Sequence, residues 1–120
     1  MLKYKIRYIE YNGRVDDLVF EFEEKRKLLS TFLSSDVTPF EDWIKADFDK
    51  VLSGRSEYEE VNGNVCSAEI GPVTTKIFDN LIEDDEEYYA TCCEVDTREL
   101  RHLIDEWCDK VREFKKEHYN

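Results

Sequence analysis

The residues with the most distinctive chemistry in this chain are four cysteines and two histidines. They are Cys66, Cys92, Cys93, Cys108, His102 and His118. A zinc site requires closely spaced cysteine pairs or histidines nearby. Cys92 and Cys93 are adjacent instead, and His102 and Cys108 do not share a helical face. We therefore expect free thiols that pack as small apolar side chains, with no bound metal or cofactor.

Signatures of catalysis are equally sparse. No serine or cysteine stands in a known local motif with a histidine and an acid. The four glycines lie in predicted turns or at a helix end, so the chain has no glycine-rich phosphate loop. We expect no catalytic residues and no enzymatic activity. A small enzyme with a carboxylate-based site is the alternative, and it would need a cleft with acids of perturbed pKa.

Acidic residues dominate the charge of the chain. The 120 residues carry a formal net charge of −12, and residues 79–99 hold nine acidic residues and one basic residue, a net charge of −8. A field of this sign repels nucleic acid and anionic membranes. It attracts basic surfaces and speeds encounter with them. We expect a basic protein partner, with no direct binding to nucleic acid or to a membrane.

Two acidic clusters are the candidate partner-binding residues. The first is a predicted turn, and the second flanks a predicted hairpin in which Glu57 and Glu59 should share one face of a strand. Their residues are Glu83, Asp84, Asp85, Glu86, Glu87, Glu57, Glu59 and Glu60. Tyr58, Tyr88 and Tyr89 are close by in sequence, and tyrosines among acids suit a protein interface. The alternatives for the first cluster are a merely solvated turn and a calcium loop, and the latter lacks the EF-hand spacing.

Alternation of apolar and charged residues predicts an N-terminal hairpin. Its first strand alternates Leu2, Tyr4, Ile6 and Tyr8 with basic residues. Asn12-Gly13 is a strong turn signal, and a second strand is predicted at residues 17–24. Residues 25–36 fit either a short helix or a third strand, and the pattern does not decide between them.

The centre of the chain predicts further strands. Asn62-Gly63 lies between two β-type runs at residues 58–61 and 65–70, which indicates another hairpin. Residues 74–78 and residues 88–95 complete the predicted strands.

Two amphipathic helices are predicted. Thr38 and Glu41 fit a capping box around Pro39, apolar residues follow at helical spacing, and Gly54 stops a helix over 39–53. The second helix, over about 97–117, begins after Asp96 and carries a continuous apolar stripe. The predicted class is therefore α+β: an antiparallel sheet of five to six strands, built from hairpins, packed against two helices.

Length and the absence of long apolar runs complete the prediction. A chain of 120 residues fits one domain, 1–120. It has no signal peptide and no run long enough to cross a bilayer, so we expect a cytoplasmic protein. The sequence leaves open whether it is a monomer or a homodimer.

Two stretches carry a resemblance to a known class of proteins. WIKADFDKVLSGRSEYEEVNGNVCSAEI, followed by CCEVDTRELRHLIDEW, is similar to small acidic immunity proteins of bacterial toxin–immunity systems. Those proteins often end in a strand, a T-x-E-L helix start and a tryptophan-bearing helix. The resemblance covers about residues 38–110. It implies a non-catalytic inhibitor that binds a basic, nuclease-type toxin, and the alternatives are an acidic regulatory adaptor or a nucleic-acid mimic.

Overall fold

The computed structural model describes residues 2–118 and has an α+β fold, as predicted. The strands are β1 (Lys5–Tyr11), β2 (Arg14–Glu21), β3 (Glu59–Asn62), β4 (Cys66–Ile70), β5 (Thr74–Asp79) and β6 (Cys93–Asp96). The helices are α1 (Leu28–Phe32), α2 (Glu41–Leu52), α3 (Asp85–Ala90) and α4 (Thr97–His118). The six strands form two antiparallel sheets rather than one: β1 pairs with β2, and the others follow the order β3-β4-β5-β6.

The predicted N-terminal hairpin is confirmed. Asn12 and Gly13 have φ angles of 51° and 77°, and this left-handed pair forms the tight turn between β1 and β2. Leu18 and Phe20 of β2 are buried. The second strand begins at Arg14, earlier than predicted, because the two-residue turn brings it directly into register with Tyr11.

Residues 25–36, for which the sequence favoured neither a helix nor a strand, are helical. A 3-10 turn at Glu24–Arg26 leads into α1, which continues as a π-helical turn at Leu33–Val37. This segment buries Leu29, Phe32, Leu33, Asp36 and Val37.

The start of α2 differs from the prediction. Thr38 is not its cap, because its backbone is already helical and Phe40 occupies the N-cap position. The Thr38 hydroxyl instead donates to the Leu33 carbonyl (3.1 Å) and accepts from the Trp107 indole (2.9 Å). The end of the helix is as predicted, since Gly54 follows it with a φ of 81°.

The predicted strand at residues 88–95 is largely wrong. Asp84 accepts a hydrogen bond from the Glu87 backbone N–H (2.9 Å) and caps α3, so the predicted acidic turn leads into a helix. The three acidic side chains in the first turn of α3 interact favourably with the positive end of the helix dipole and so stabilise the helix. Only Cys93–Asp96 remains as a strand.

The last helix is confirmed. Asp96 accepts a hydrogen bond from the Glu99 backbone N–H (3.0 Å) and thereby caps α4. The buried apolar side chains of α4 are Leu100, Leu103, Ile104, Trp107, Cys108 and Phe114. At its start, the buried hydroxyls of Thr75 and Thr97 lie 2.8 Å apart and tie the helix to β5.

The helices cover one face of the four-stranded sheet, which we call its inner face. It presents Val61, Ala68, Ile77 and Cys93 to one buried apolar cluster, which α1, α2 and α4 complete. The hairpin packs against α1 and α4 through β2. Within residues 2–118, no helix is long and apolar enough to span a membrane. The other face of the sheet, its outer face, carries polar and charged residues together with the buried Phe78.

Candidate partner-binding surface

A row of charged side chains crosses the outer face of the four-stranded sheet. The pairing register places Glu60 opposite Glu69, Glu69 opposite Lys76, and Lys76 opposite Glu94. Residues directly opposite in an antiparallel pair lie on the same face, and neighbouring strands are about 4.8 Å apart. Three carboxylates and one ammonium group therefore form a row about 14 Å long. Within the row the facing carboxylates of Glu60 and Glu69 repel each other, whereas Glu69–Lys76 and Lys76–Glu94 are pairs of opposite charge.

Asp36 positions this row by holding the loop between β3 and β4. Its buried carboxylate accepts hydrogen bonds from the backbone N–H groups of Asn64, Val65 (3.1 Å) and Cys66 (2.9 Å). The loop is therefore wider than a two-residue Asn-Gly turn, and Asn62 pairs with Ser67. A Cβ at Gly63 would overlap the Asp36 carboxyl group, coming within 2.9 Å of the Asp36 Cβ and closer still to an oxygen. The predicted hairpin is confirmed, with its register set by a distant side chain.

Tyr58 lies beside the acidic pair. Its hydroxyl donates to Glu60 Oε1 (2.6 Å), and the residue is 47% exposed. Partial burial, the hydrogen bond to Glu60 and the nearby charge of Glu69 raise the pKa of Tyr58 above its usual value. The phenol therefore stays neutral at physiological pH and presents an aromatic ring next to two carboxylates.

Aromatic side chains hold α3 against the outer face. Phe78 lies on this face because it pairs with Ser67. The Tyr88 ring stacks on it with centroids 4.9 Å apart, and the Tyr89 ring packs edge-on at 5.7 Å. The five acids of residues 83–87 are all exposed. The structure thus places the first acidic cluster along the border of the outer face.

The second predicted cluster is divided. Glu60 is exposed on the outer face, whereas Glu59 lies on the other side of β3, where it accepts from the Ser56 hydroxyl (2.6 Å). Glu57 is exposed but precedes β3. The expectation that Glu57 and Glu59 share one face of a strand is wrong, because the strand begins only at Glu59.

Sequence reasoning missed Glu69 and Glu94. The alternation in Cys66–Ile70 buries Cys66, Ala68 and Ile70, so the same pattern could have placed Glu69 on the opposite face. The neighbouring sequence could not predict that Glu69 lies opposite Glu60, because the register of β3 and β4 depends on the distant side chain of Asp36.

The cysteines are free, and three of them are buried. Burial raises the pKa of Cys93 and of Cys108 to about 11, so both thiols stay protonated at neutral pH. Among residues 2–118, no group of three or more histidine, cysteine or acidic side chains is arranged to hold a metal ion.

A groove of about 580 Å³ lies between the hairpin, the segment containing α1, and α3. Cations and anions both line it, including Arg7, Lys25, Asp79 and Glu87. The described residues of its wall include neither histidine nor cysteine. The groove therefore offers mixed charge, together with the hydroxyl groups of Ser30 and Thr31.

A comparison with known proteins gives one strong similarity. The chain is 44% identical over 105 residues to a Bacillus cereus protein called "Immunity protein", and the match spans 88% of this chain and 85% of that protein. No protein-family model and no solved structure matches the chain.

Proposed function

The chain belongs to the family of the Bacillus cereus immunity protein, and on that premise we propose that it is a non-catalytic inhibitor of a cognate bacterial toxin. The observation that carries this proposal is the similarity over most of both chains. An inhibitor of this kind neutralises its toxin by binding it, so it needs a complementary surface and no reactive site. We further propose that it acts in the cytoplasm.

We propose that the toxin is basic and of the nuclease type. A nuclease must present a cationic surface to hold the phosphates of nucleic acid. The formal net charge of −12 and the acids bordering the outer sheet face would attract such a surface. Opposite charges on the two proteins speed their encounter and fix their relative orientation. The same charge supports our expectation that the chain does not itself bind nucleic acid.

The proposed contact residues are those of the two acidic clusters. Residues 83–87 extend from the border of the outer face, and Glu60 lies on that face. Glu57 is exposed beside Tyr58, while Glu59 contributes at the edge of β3, with its carboxylate held by Ser56. All of them except the partly buried Glu59 present exposed negative charge.

Co-expression with the protein encoded by the adjacent reading frame tests the proposal. We expect that protein to be toxic alone, harmless when this chain is present, and retained in stoichiometric amount by the tagged chain. Retention should weaken from low to high salt, because salt screens the attraction between exposed charges. Toxicity that persists beside the folded chain would contradict the proposal. A bound basic protein without toxicity would favour the regulatory adaptor.

A further inference from the structure

The outer face of the four-stranded sheet carries an internal electrostatic conflict. Glu60 and Glu69 lie directly opposite each other on neighbouring strands. Lys76 lies opposite Glu69 on the next strand, but its ammonium group is 3.8 Å from Glu94, toward the opposite edge of the sheet. Facing carboxylates lower the stability of an antiparallel pair. A sheet face that serves only solvation does not need this arrangement, and such local conflicts are typical of functional surfaces.

Aromatic groups frame the same face. Tyr58 is 47% exposed beside Glu60, and Tyr89 is 64% exposed on the side of α3. Exposed tyrosines supply contact area at low cost in side-chain entropy and are frequent in the centres of protein interfaces. An arginine guanidinium also binds well where a carboxylate and an aromatic ring lie side by side, because it pairs with one and stacks on the other.

We propose that the toxin docks on this outer face and inserts an arginine or lysine side chain between Tyr58, Glu60 and Glu69. The inference rests on the proposed function and adds the place and chemistry of recognition. The negative charge and the aromatic ring of this site are complementary to such a cation. An inserted cation converts the repulsion between the two carboxylates into attraction for itself, so binding relieves the conflict that the free protein carries.

Variants that neutralise charges on this face test the inference. The probe is the protein encoded by the adjacent reading frame, and the measurement is the rate at which it associates with and dissociates from each variant. The double variant Glu60→Gln/Glu69→Gln should bind about tenfold more weakly. Its melting temperature should stay close to that of the wild type, because the loss of the Glu60–Glu69 repulsion offsets the loss of the Glu69–Lys76 attraction. Lys76→Gln should bind more tightly, by about threefold, because it makes the face more negative. A merely structural role for these residues would not produce opposite effects on binding.

A matched control removes two charges at a distance. Glu10 is next to the hairpin turn and Glu117 is near the end of α4, a 22-residue helix about 33 Å long that begins at the sheet. Glu10→Gln/Glu117→Gln should change affinity much less than Glu60→Gln/Glu69→Gln.

The outcomes separate the two proposals. If the wild-type chain neutralises and binds the toxin but Glu60→Gln/Glu69→Gln binds equally well, the docking site is wrong and the function stands. If the wild-type chain binds no toxin, the proposed function fails and the docking site with it. If the double variant alters only self-association in size-exclusion chromatography, the face receives a second copy of this chain, and the inference is overturned.

Discussion

Asp36 is the buried charged side chain on which the loop between β3 and β4 depends. It is fully buried, and its carboxylate receives three backbone N–H groups of that loop. A buried carboxylate is tolerated when hydrogen bonds replace its lost hydration, and here the loop amides do so. The same bonds set the register that brings Glu60 opposite Glu69.

Asp36→Ala should therefore lower the free energy of unfolding by about 3 kcal/mol, because it leaves buried amide donors without an acceptor. Chemical denaturation measures this loss. Asp109→Ala is the control, since Asp109 is exposed and pairs with Arg112 at the surface. That variant should lose less than about 1 kcal/mol. Equal losses in the two variants would show that the Asp36 bonds do not hold the loop.

Tyr4 should contribute to the sensitivity of the folded protein to alkaline pH. Burial and the hydrogen bond from its hydroxyl to Glu106 (2.5 Å) raise the pKa of Tyr4 to about 12. In the unfolded chain a tyrosine titrates near pH 10, about the usual value. The folded state thus holds this proton more tightly, so its contribution to stability is complete below about pH 10 and is lost as the pH rises toward 12.

Tyr4→Phe should flatten the fall in stability over this pH range, because phenylalanine has no proton to lose. Denaturation midpoints of wild type and variant at a series of alkaline pH values measure the difference. Tyr58 also has a raised pKa and is unchanged in the variant, so it contributes equally to both proteins. Parallel pH profiles for the two proteins would contradict the assignment to Tyr4.

At the scale of elements, α3 shows how an acidic segment acquires a structural role. Asp84 caps the helix, and Tyr88 and Tyr89 attach it to Phe78 of β5. The acids next to the cap interact favourably with the N-terminal end of the helix dipole. Reversal of Asp84 would therefore disturb folding as well as charge, so Asp84 is a poor position for testing partner binding alone.

Asp84→Ala should destabilise α3 by about 1 kcal/mol through loss of the cap. Amide hydrogen exchange measures this loss best. The backbone N–H groups of Tyr88 and Thr91 form hydrogen bonds within this short helix, so they should exchange faster in the variant than in the wild type. Asp84→Asn retains an acceptor oxygen and should exchange much as the wild type does. Faster exchange in the asparagine variant as well would point to loss of charge rather than loss of the cap.

The sequence correctly predicted those helices and turns for which all of the neighbouring residues favour the same structure. In α4, a capping aspartate and a continuous apolar stripe both indicate a helix, and Asn12-Gly13 leaves few alternatives to a tight turn. For α3 the signals conflicted. Asp84 and Glu87 have the same spacing as Asp96 and Glu99, but the tyrosines and cysteines that follow favour a strand.

The sequence did not identify the helical segment before α2, and the reason was different. Its buried residues follow helical spacing, but Asp36 occupies one position of the otherwise apolar stripe. A buried charge has no signature in a hydropathy pattern. The face that we propose as the docking site was partly hidden for the same reason. Glu60 was identified by its charge, whereas its neighbour Glu69 was not, since their pairing depends on the bonds from Asp36 to the loop.

For the whole molecule, the distribution of charge matters more than the total. The acids of residues 83–87, Glu60 and Glu69 border or occupy one sheet face, and residues 79–99 alone carry a net charge of −8. A partner with a basic surface therefore meets a field that favours one orientation. Such steering acts mainly on the association rate and weakens as salt screens it.

Asp85→Lys/Glu86→Lys tests this steering without removing the Asp84 cap. Each reversal changes the charge by two, so the formal net charge rises from −12 to −8. Association with the toxin should slow by about tenfold at low salt, and less at high salt, because the reversed charges lie at the proposed interface. The control Glu10→Lys/Glu117→Lys has the same net charge but places it at the far end of α4, so it should slow association only about twofold. Stopped-flow measurements at several ionic strengths distinguish the two. Equal rates for both variants would mean that only total charge steers the encounter and would remove residues 85 and 86 from the interface.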